Sequence, residues 1–510
     1  MLKDFFSAHK QENLQRLFWI AVIVTLLIKI VLSSLIPITA DEAYFVLWGR
    51  YPDIGFYDHP PMIGWILYLV QLLGSSALVV RLPAVLFSTW IGIGIYFFLK
   101  QFNKQTAMLV ALCFICSPFN VFYILITTDA PLLLFSFLSG ITLWYAVKKE
   151  NNWLYMLSGV YLGLAFLSKY FAVLLGLGFL AYFIFSSKTN KKAAGSVILF
   201  LSVVPFALLN LYYNYTHEWN NIMFNVFNRN DAVSLNILNP LIFIVSQLCF
   251  ITPFIAYYLV KNFKSEKFVK IFKNDLALFA FSFFVPIAVF FLISFKRSVG
   301  LHWTISFYPF MFVLLIALLP VKELKKSLKY IIYFSLALLL IAAAAFSFQA
   351  PLLSKLENNA NYEVTVMSLW HKEFIKSLQV FEKDFIFATG SYADSSILEF
   401  YFKKPVIVFG MGSKHARQHD ILSDFRKYDG KNMLIICKSV PEGYNKFFNN
   451  VIIEQKVIKD AVFYFVKGYG FKYEEYKKDV LARIKEQFYN VPPYIKMRGD
   501  ENNFLEKYFG

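Results

Sequence analysis

Over its first 350 positions the chain alternates long apolar runs with short polar breaks. A helix that crosses a bilayer needs about 20 mostly apolar residues. Eleven runs approach that length, near 16–37, 76–99, 106–126, 131–147, 153–168, 170–187, 194–212, 237–260, 276–295, 301–319 and 328–349. The stretch Met62–Leu73 is shorter and amphipathic, suited to lying on a membrane surface. Beyond residue 350 the pattern changes. Short apolar strands are predicted at Phe385–Thr389, Val406–Phe409, Met433–Cys437 and Val462–Lys467, with a helix over Ser395–Phe402 after the Gly390-Ser391 turn. The pattern predicts a multi-span α-helical membrane protein with about eleven transmembrane helices. It divides the chain into a membrane domain over 1–350 and a soluble α/β domain over 351–510.

The charges orient these spans. With the N-terminus inside, the inner segments hold Lys3, Lys10, Arg16, Lys100, Lys104, Lys148, Lys149, Lys188, Lys191, Lys192 and the runs Lys261–Lys273 and Lys322–Lys329. The outer segments hold only Arg50, Lys169, Arg229, Lys296 and Arg297. That asymmetry follows the positive-inside rule. An odd span count then puts residues 351–510 outside the cytoplasm. The first apolar run is long enough to span, and no small-residue cleavage site precedes Asp41, so it is expected to be retained.

Composition supports the same class. Of 510 residues, 58% are hydrophobic and only 16% charged, against about a quarter charged in soluble domains. The net charge of +17 would suit nucleic acid. However, residues 1–350 hold 26 Lys and Arg against 13 Asp and Glu, while the remainder is nearly balanced. The excess therefore belongs to inner loops and argues against a nucleic-acid partner. Four scattered cysteines make no disulfide framework, and Cys113-x-x-Cys116 reads as helix filler.

The outer loops are poor in charge yet hold nearly every residue with chemical potential. The first reads Thr39-Ala40-Asp41-Glu42-Ala43-Tyr44 and continues to Phe56-Tyr57-Asp58-His59-Pro60-Pro61. A carboxylate at a membrane border is costly unless used or paired. Asp41 also suits a helix N-cap. Arg81, near the outer end of the second span, can snorkel to the interface or contact an anion. Asp129, in Thr127-Thr128-Asp129-Ala130-Pro131, can cap the fourth span or serve a site. Lys169 breaks the inside-positive bias, which suggests a phosphate partner. Lys296, Arg297 and His302 can anchor at the interface or hold an anion. Lys29 lies mid-span with no evident partner, although charges within a membrane usually have a function. The segment Lys414-His415-Ala416-Arg417-Gln418-His419-Asp420 looks metal-like, but its spacing favours a solvated polar loop.

These motifs together resemble those of integral-membrane glycosyltransferases that use a polyprenyl-phosphate sugar. That group (glycosyltransferase family 39 and its relatives) includes the protein O-mannosyltransferases and the bacterial lipid A aminoarabinose transferases. The resemblance rests on Asp41-Glu42-Ala43-Tyr44, on Phe56 to Pro61 with Trp65, and on Arg81-Leu82-Pro83. It extends through Thr128-Asp129-Ala130-Pro131, Gly163 to Tyr170, and His302-Trp303 with Tyr308-Pro309. It covers about residues 10–350. Residues Gly390 to Ser396 and Phe409 to Ser413 also resemble the extracytoplasmic domain of bacterial relatives.

The resemblance implies a C-type glycosyltransferase fold and an inverting transfer of one sugar from undecaprenyl phosphate. The acceptor would be lipid A, an envelope glycan or a protein, on the outer face of a bacterial plasma membrane. It implies catalytic roles for Asp41, Glu42 and Asp58. Arg81, Lys169, Lys296 and Arg297 would bind the donor phosphate, and Tyr57, His59, Asp129 and His302 would line the cavity. The aminoarabinose transferases carry Glu-Lys-Pro-Pro where this chain has Asp58-His59-Pro60-Pro61, which removes a fixed cation. The resemblance points to no particular cofactor. A divalent metal is compatible with convergence of Asp41, Asp58, His59 and His302. The rival readings are a transporter or lipid flippase, and a block oligosaccharide transferase. A transporter would place its polar residues at the midplane, where only Lys29 lies.

Overall fold

Among the described residues each of the eleven apolar runs is largely helical, but two are broken where the sequence places a proline. The computed structural model describes residues 11–186, 189–225, 235–347, 362–415, 417–489, 491, 492, 495, 498 and 503–510. Lys3, Lys10, Lys188, Arg229 and Ala416 lie outside these residues, as does the end of the run at 328–349. Among the described residues seven helices are long and apolar enough to cross a membrane. An eighth arises if Leu238–Ile251 and Pro253–Lys261 count as one span.

The difference from eleven has local causes. The run at 106–126 stops as a helix at Ile115 and restarts at Pro118–Val121. Ser117 sits extended before Pro118, as a residue preceding proline must, and its hydroxyl caps the new helix at Asn120 N. The run at 237–260 breaks at Thr252, whose φ of 68° precedes Pro253, and the two halves meet at 101°. The run at 153–168 forms a helix of 17 residues, Asn152–Ser168, whereas the run at 301–319 is one of the seven although it opens as a 3₁₀ helix over Leu301–Phe307 and becomes α-helical at Tyr308. Ala172–Phe185 is a 14-residue apolar helix.

The chain forms two compact units. The first contains residues 1–36, 74–208 and 232–344. The second contains residues 37–73, 209–231 and 345–510. The division therefore differs from a single cut near residue 350: the loop bearing Asp41 and Asp58 belongs with the C-terminal part. In the first unit, helices Asp129–Lys149 and Asn152–Ser168 are joined at Glu150, which sits left-handed. Ser139 and Ser158 each donate to the other's carbonyl at 2.9 Å, a polar tie between apolar helices.

The second unit is organised around a five-stranded sheet of order β2-β1-β3-β5-β4. Its strands are β1 (Ile386–Thr389), β2 (Val406–Val408), β3 (Met433–Cys437), β4 (Phe448–Ile458) and β5 (Ala461–Phe471). β1 pairs parallel with β2 and β3, whereas β5 pairs antiparallel with β3 and β4. Alternation along the strands divides the core between two faces. Phe387, Leu434 and Phe465 pack with Phe374, Leu378 and Leu398 on one side. Ala388, Ile435 and Val466 pack with Tyr476, Leu481 and Phe504 on the other. The four predicted strands are present. β4 carries no strand signal in the sequence, because this edge strand is mostly exposed and its apolar residues stand side by side, as Val451-Ile452-Ile453 and Val457-Ile458, rather than in period-two alternation.

Candidate functional site

In the first unit two of the predicted cations, Lys169 and Arg81, are buried and hydrogen-bonded. Lys169 is the extended residue ending helix Asn152–Ser168, and Asp129 opens helix Asp129–Lys149. Lys169 Nζ donates to both oxygens of Asp129, at 2.8 and 3.0 Å, and lies 5.0 Å over the Phe171 ring. Both side chains are buried. Removal of these charges from water is tolerable only because they meet and are hydrogen-bonded. The N-cap residue Thr128 makes no side-chain cap to this helix, and the Asp129 carboxylate is engaged by Lys169.

Arg81 is fully buried. Its Nη1 donates to Ser33 O at 3.1 Å and Ile36 O at 2.6 Å, satisfying carbonyls at the end of helix Gln11–Leu35. Lys29 has three acceptors: Ser88 Oγ at 2.9 Å, Thr89 Oγ1 at 3.2 Å and Asn120 Oδ1 at 2.9 Å. The partners lie 59 to 91 residues away, which is why the local sequence did not reveal them. Lys296 and Arg297 follow helix Ala277–Ser294, with Lys296 exposed and Arg297 half-buried. His302 is exposed on the 3₁₀ turn.

In the second unit the first loop is built on helix Ala40–Arg50. Thr39 is its N-cap, not Asp41. The Thr39 hydroxyl accepts from Glu42 N, while Glu42 Oε2 accepts from Thr39 N at 3.1 Å, completing a capping box. Glu42 is thus buried and committed to the helix start, whereas Asp41 is exposed in its first turn. One turn on, Tyr44 points inward. Its hydroxyl donates to Asp58 Oδ1 at 3.1 Å and accepts from Gln418 N at 3.2 Å. Burial, and then the charge of Asp58, push the Tyr44 phenol well above its ordinary pKa, so it remains a donor.

The loop 56–59 is held from several sides. Phe56 N donates to His59 O at 3.1 Å, Asn221 Nδ2 to Phe56 O at 2.9 Å, and Asn225 Nδ2 to Asp58 O at 3.0 Å. A Cβ on Gly55 would strike the Tyr213 ring at 2.4 Å, so only glycine allows this approach. Tyr57 is fully buried in the sheet core beside Phe224 and Tyr489. Its side chain is an anchor rather than part of an open surface. His59 lies against the Phe45 and Trp48 rings, at 6.1 and 6.2 Å between centroids.

In the segment 414–420 His415 is exposed and Lys414 half-buried, but the expectation of a solvated loop fails at residues 417–419. Arg417, Gln418 and His419 are buried. Arg417 donates to Met411 O, to Ser413 O and to Asp420, and Gln418 Oε1 accepts from Tyr57 N at 2.9 Å. Among the described residues no group of three His, Cys, Asp or Glu is arranged to hold a metal. Sequence reasoning assigned no role to Tyr44, Tyr392 or Gln418. Tyr44 and Tyr392 stood in noted motifs, and a phenol next to a carboxylate is the signal that could have raised them. Chemically, the first unit offers a buried cation already neutralised by a carboxylate. The second offers an exposed carboxylate and a buried one, each in contact with a tyrosine hydroxyl.

Residues 58–213 match the family described as dolichyl-phosphate-mannose-protein mannosyltransferase. The chain is 28% identical over 186 residues to the lipid A galacturonosyltransferase RgtD of Rhizobium johnstonii. That match spans 35% of this chain and 38% of RgtD. The fold is similar to that of ArnT from Cupriavidus metallidurans in the apo state, with TM-score 0.58 and 14% identity, over 88% of this chain and 97% of ArnT. Its structure bound to undecaprenyl phosphate gives TM-score 0.59, with the same identity and coverage. The resemblance to polyprenyl-phosphate-sugar transferases is therefore supported by sequence matches and, separately, by a multi-span helical fold of the C type.

Proposed function

We propose that the chain is an inverting glycosyltransferase of a bacterial plasma membrane. It moves a single sugar from a polyprenyl phosphate to lipid A or another envelope acceptor. The observation that carries this reading is the family match over 58–213, which contains Asp58, Arg81, Asp129 and Lys169. The RgtD match supports lipid A as the acceptor. The undecaprenyl-phosphate complex of a protein with similar fold supports the donor class.

Attack by an acceptor oxygen at the anomeric carbon breaks the bond to the donor phosphate and inverts that carbon. The polyprenyl phosphate leaves with the bonding electrons. In this proposal Lys169 neutralises the leaving phosphate, held ready by Asp129, and Arg81, Lys296 and Arg297 add positive potential. Asp41, exposed, takes the acceptor proton or orients the acceptor. Asp58 acts through its contact with Tyr44, and Glu42 supports Asp41 by fixing the helix start. If the acceptor is itself a phosphate on lipid A, Asp41 positions rather than deprotonates. The active site and residues 351–510 face the exterior, in line with the positive-inside asymmetry. Lys29, the sequence feature that favoured transport, has three hydrogen bonds to neutral groups and gives that alternative no support.

The test uses membranes containing the wild-type protein or Asp41→Asn, a radiolabelled sugar on undecaprenyl phosphate, and lipid A. Transfer by wild type should fall at least about tenfold in the variant. Undiminished transfer by folded Asp41→Asn would overturn the reading.

A further inference from the structure

The soluble sheet contributes to the surroundings of both acceptor-side carboxylates. β1 ends at Thr389, and Ser391 caps helix Tyr392–Phe402, its hydroxyl accepting from Asp394 N. This places Tyr392 in the first helical turn, where its hydroxyl donates to Asp41 Oδ1 at 3.3 Å. The Tyr392 ring meets Tyr44 edge to face at 5.4 Å, and Tyr44 in turn donates to Asp58. Gln418 and His419, from the connection after β2, complete the group. Gln418 N donates to the Tyr44 hydroxyl, and the His419 ring stacks on Tyr44 at 5.9 Å. An ion pair between Arg50 and Glu399, 3.2 Å apart, ties the far ends of the same two helices together.

Two carboxylates are thus linked through two phenols. The segments involved follow the carboxyl ends of the parallel strands β1 and β2, the edge at which open α/β sheets gather ligands. Asp41 is exposed, and an exposed carboxylate has several staggered rotamers. A donor on one oxygen selects among them and leaves the second oxygen for a substrate.

We propose that Tyr392 is a positioning residue that orients Asp41 toward the acceptor hydroxyl. The C-terminal sheet is thereby part of the transfer machinery, and this inference rests on the proposed role of Asp41. Burial, followed by the charges of Asp41 and Asp58, pushes the Tyr392 phenol well above its ordinary pKa. It therefore keeps its proton and remains a donor at neutral pH.

The experiment compares Tyr392→Phe, Tyr392→Leu, Asp41→Asn and Tyr392→Phe/Asp41→Asn in the full-length protein in nanodiscs, with steady-state kinetics in donor and in acceptor. Tyr392→Phe should lower kcat about tenfold while leaving the donor KM within twofold. Tyr392→Leu should lose at least as much, and thermal midpoints should confirm that each variant is folded. In the Asp41→Asn background Tyr392→Phe should cost less than twofold, since the group it positions is gone. Wild-type kcat in Tyr392→Phe with a loss only in Tyr392→Leu would mean the ring merely packs, and would overturn the proposal. A full tenfold loss in the Asp41→Asn background would also overturn it. Inactive Asp41→Asn beside wild-type Tyr392→Phe removes only the positioning role. Active Asp41→Asn removes the underlying assignment as well.

Discussion

Substitution of Lys169 by Met leaves the Asp129 carboxylate buried without its partner. The pair is close, at 2.8 and 3.0 Å, and both side chains are shielded from water. Removing one member of such a pair costs about 3–5 kcal/mol, most of it the desolvation of the charge left behind. The same argument makes the double variant milder. Asp129→Leu/Lys169→Met replaces both charges with apolar groups of similar volume, which is often neutral or stabilising. The single and double variants should therefore differ by about 3 kcal/mol in favour of the double. Unfolding in mixed micelles with increasing SDS, followed by tryptophan fluorescence, gives these differences. A Lys169→Met protein within about 1 kcal/mol of wild type would refute the burial argument. So would a double variant as unstable as the sum of the singles. Activity then separates the two roles of the lysine. The double variant should be folded yet fail to transfer sugar, because the cation proposed for the phosphate is absent.

Three other outcomes follow from particular contacts. Lys29→Met should cost about 1–3 kcal/mol by the same unfolding assay, chiefly from the orphaned Asn120 carbonyl; Ser88 and Thr89 retain bonds to Ala84 and Val85 carbonyls. Glu218 accepts from Leu505 N at 2.6 Å, and burial raises its pKa from 4.5 to about 7. The folded state thus binds a proton that the unfolded chain releases earlier, so stability should fall as pH rises from about 4.5 to 7, and Glu218→Gln should flatten thermal midpoints across that window. The turn between β4 and β5 holds both Lys459 and Asp460 at positive φ, 49° and 66°. Replacement by Asn-Gly should raise stability by about 0.5–1 kcal/mol, and an unchanged midpoint would refute the strain argument.

The sequence by itself determined the elements that depend on local pattern. Apolar runs become helices in lipid because a backbone without water must bond internally. Proline and the residue before it decided where the runs at 106–126 and 237–260 break, and those breaks reduce the count of long helices. Four core strands were legible because two buried faces demand apolar residues on both sides; β4, solvated at the edge, carried no such mark. The order of the acidic and basic motifs was also legible.

Only the tertiary structure decided what each charged group touches. It neutralised Lys169 with Asp129, 40 residues away, and gave Lys29 partners on two other helices. It committed Glu42 to a cap and set Tyr392, 351 residues distant, beside Asp41. Local propensity has no knowledge of such separations. The pairs form because a charge or hydroxyl drawn from water must find a complement among whatever side chains packing brings within about 3 Å.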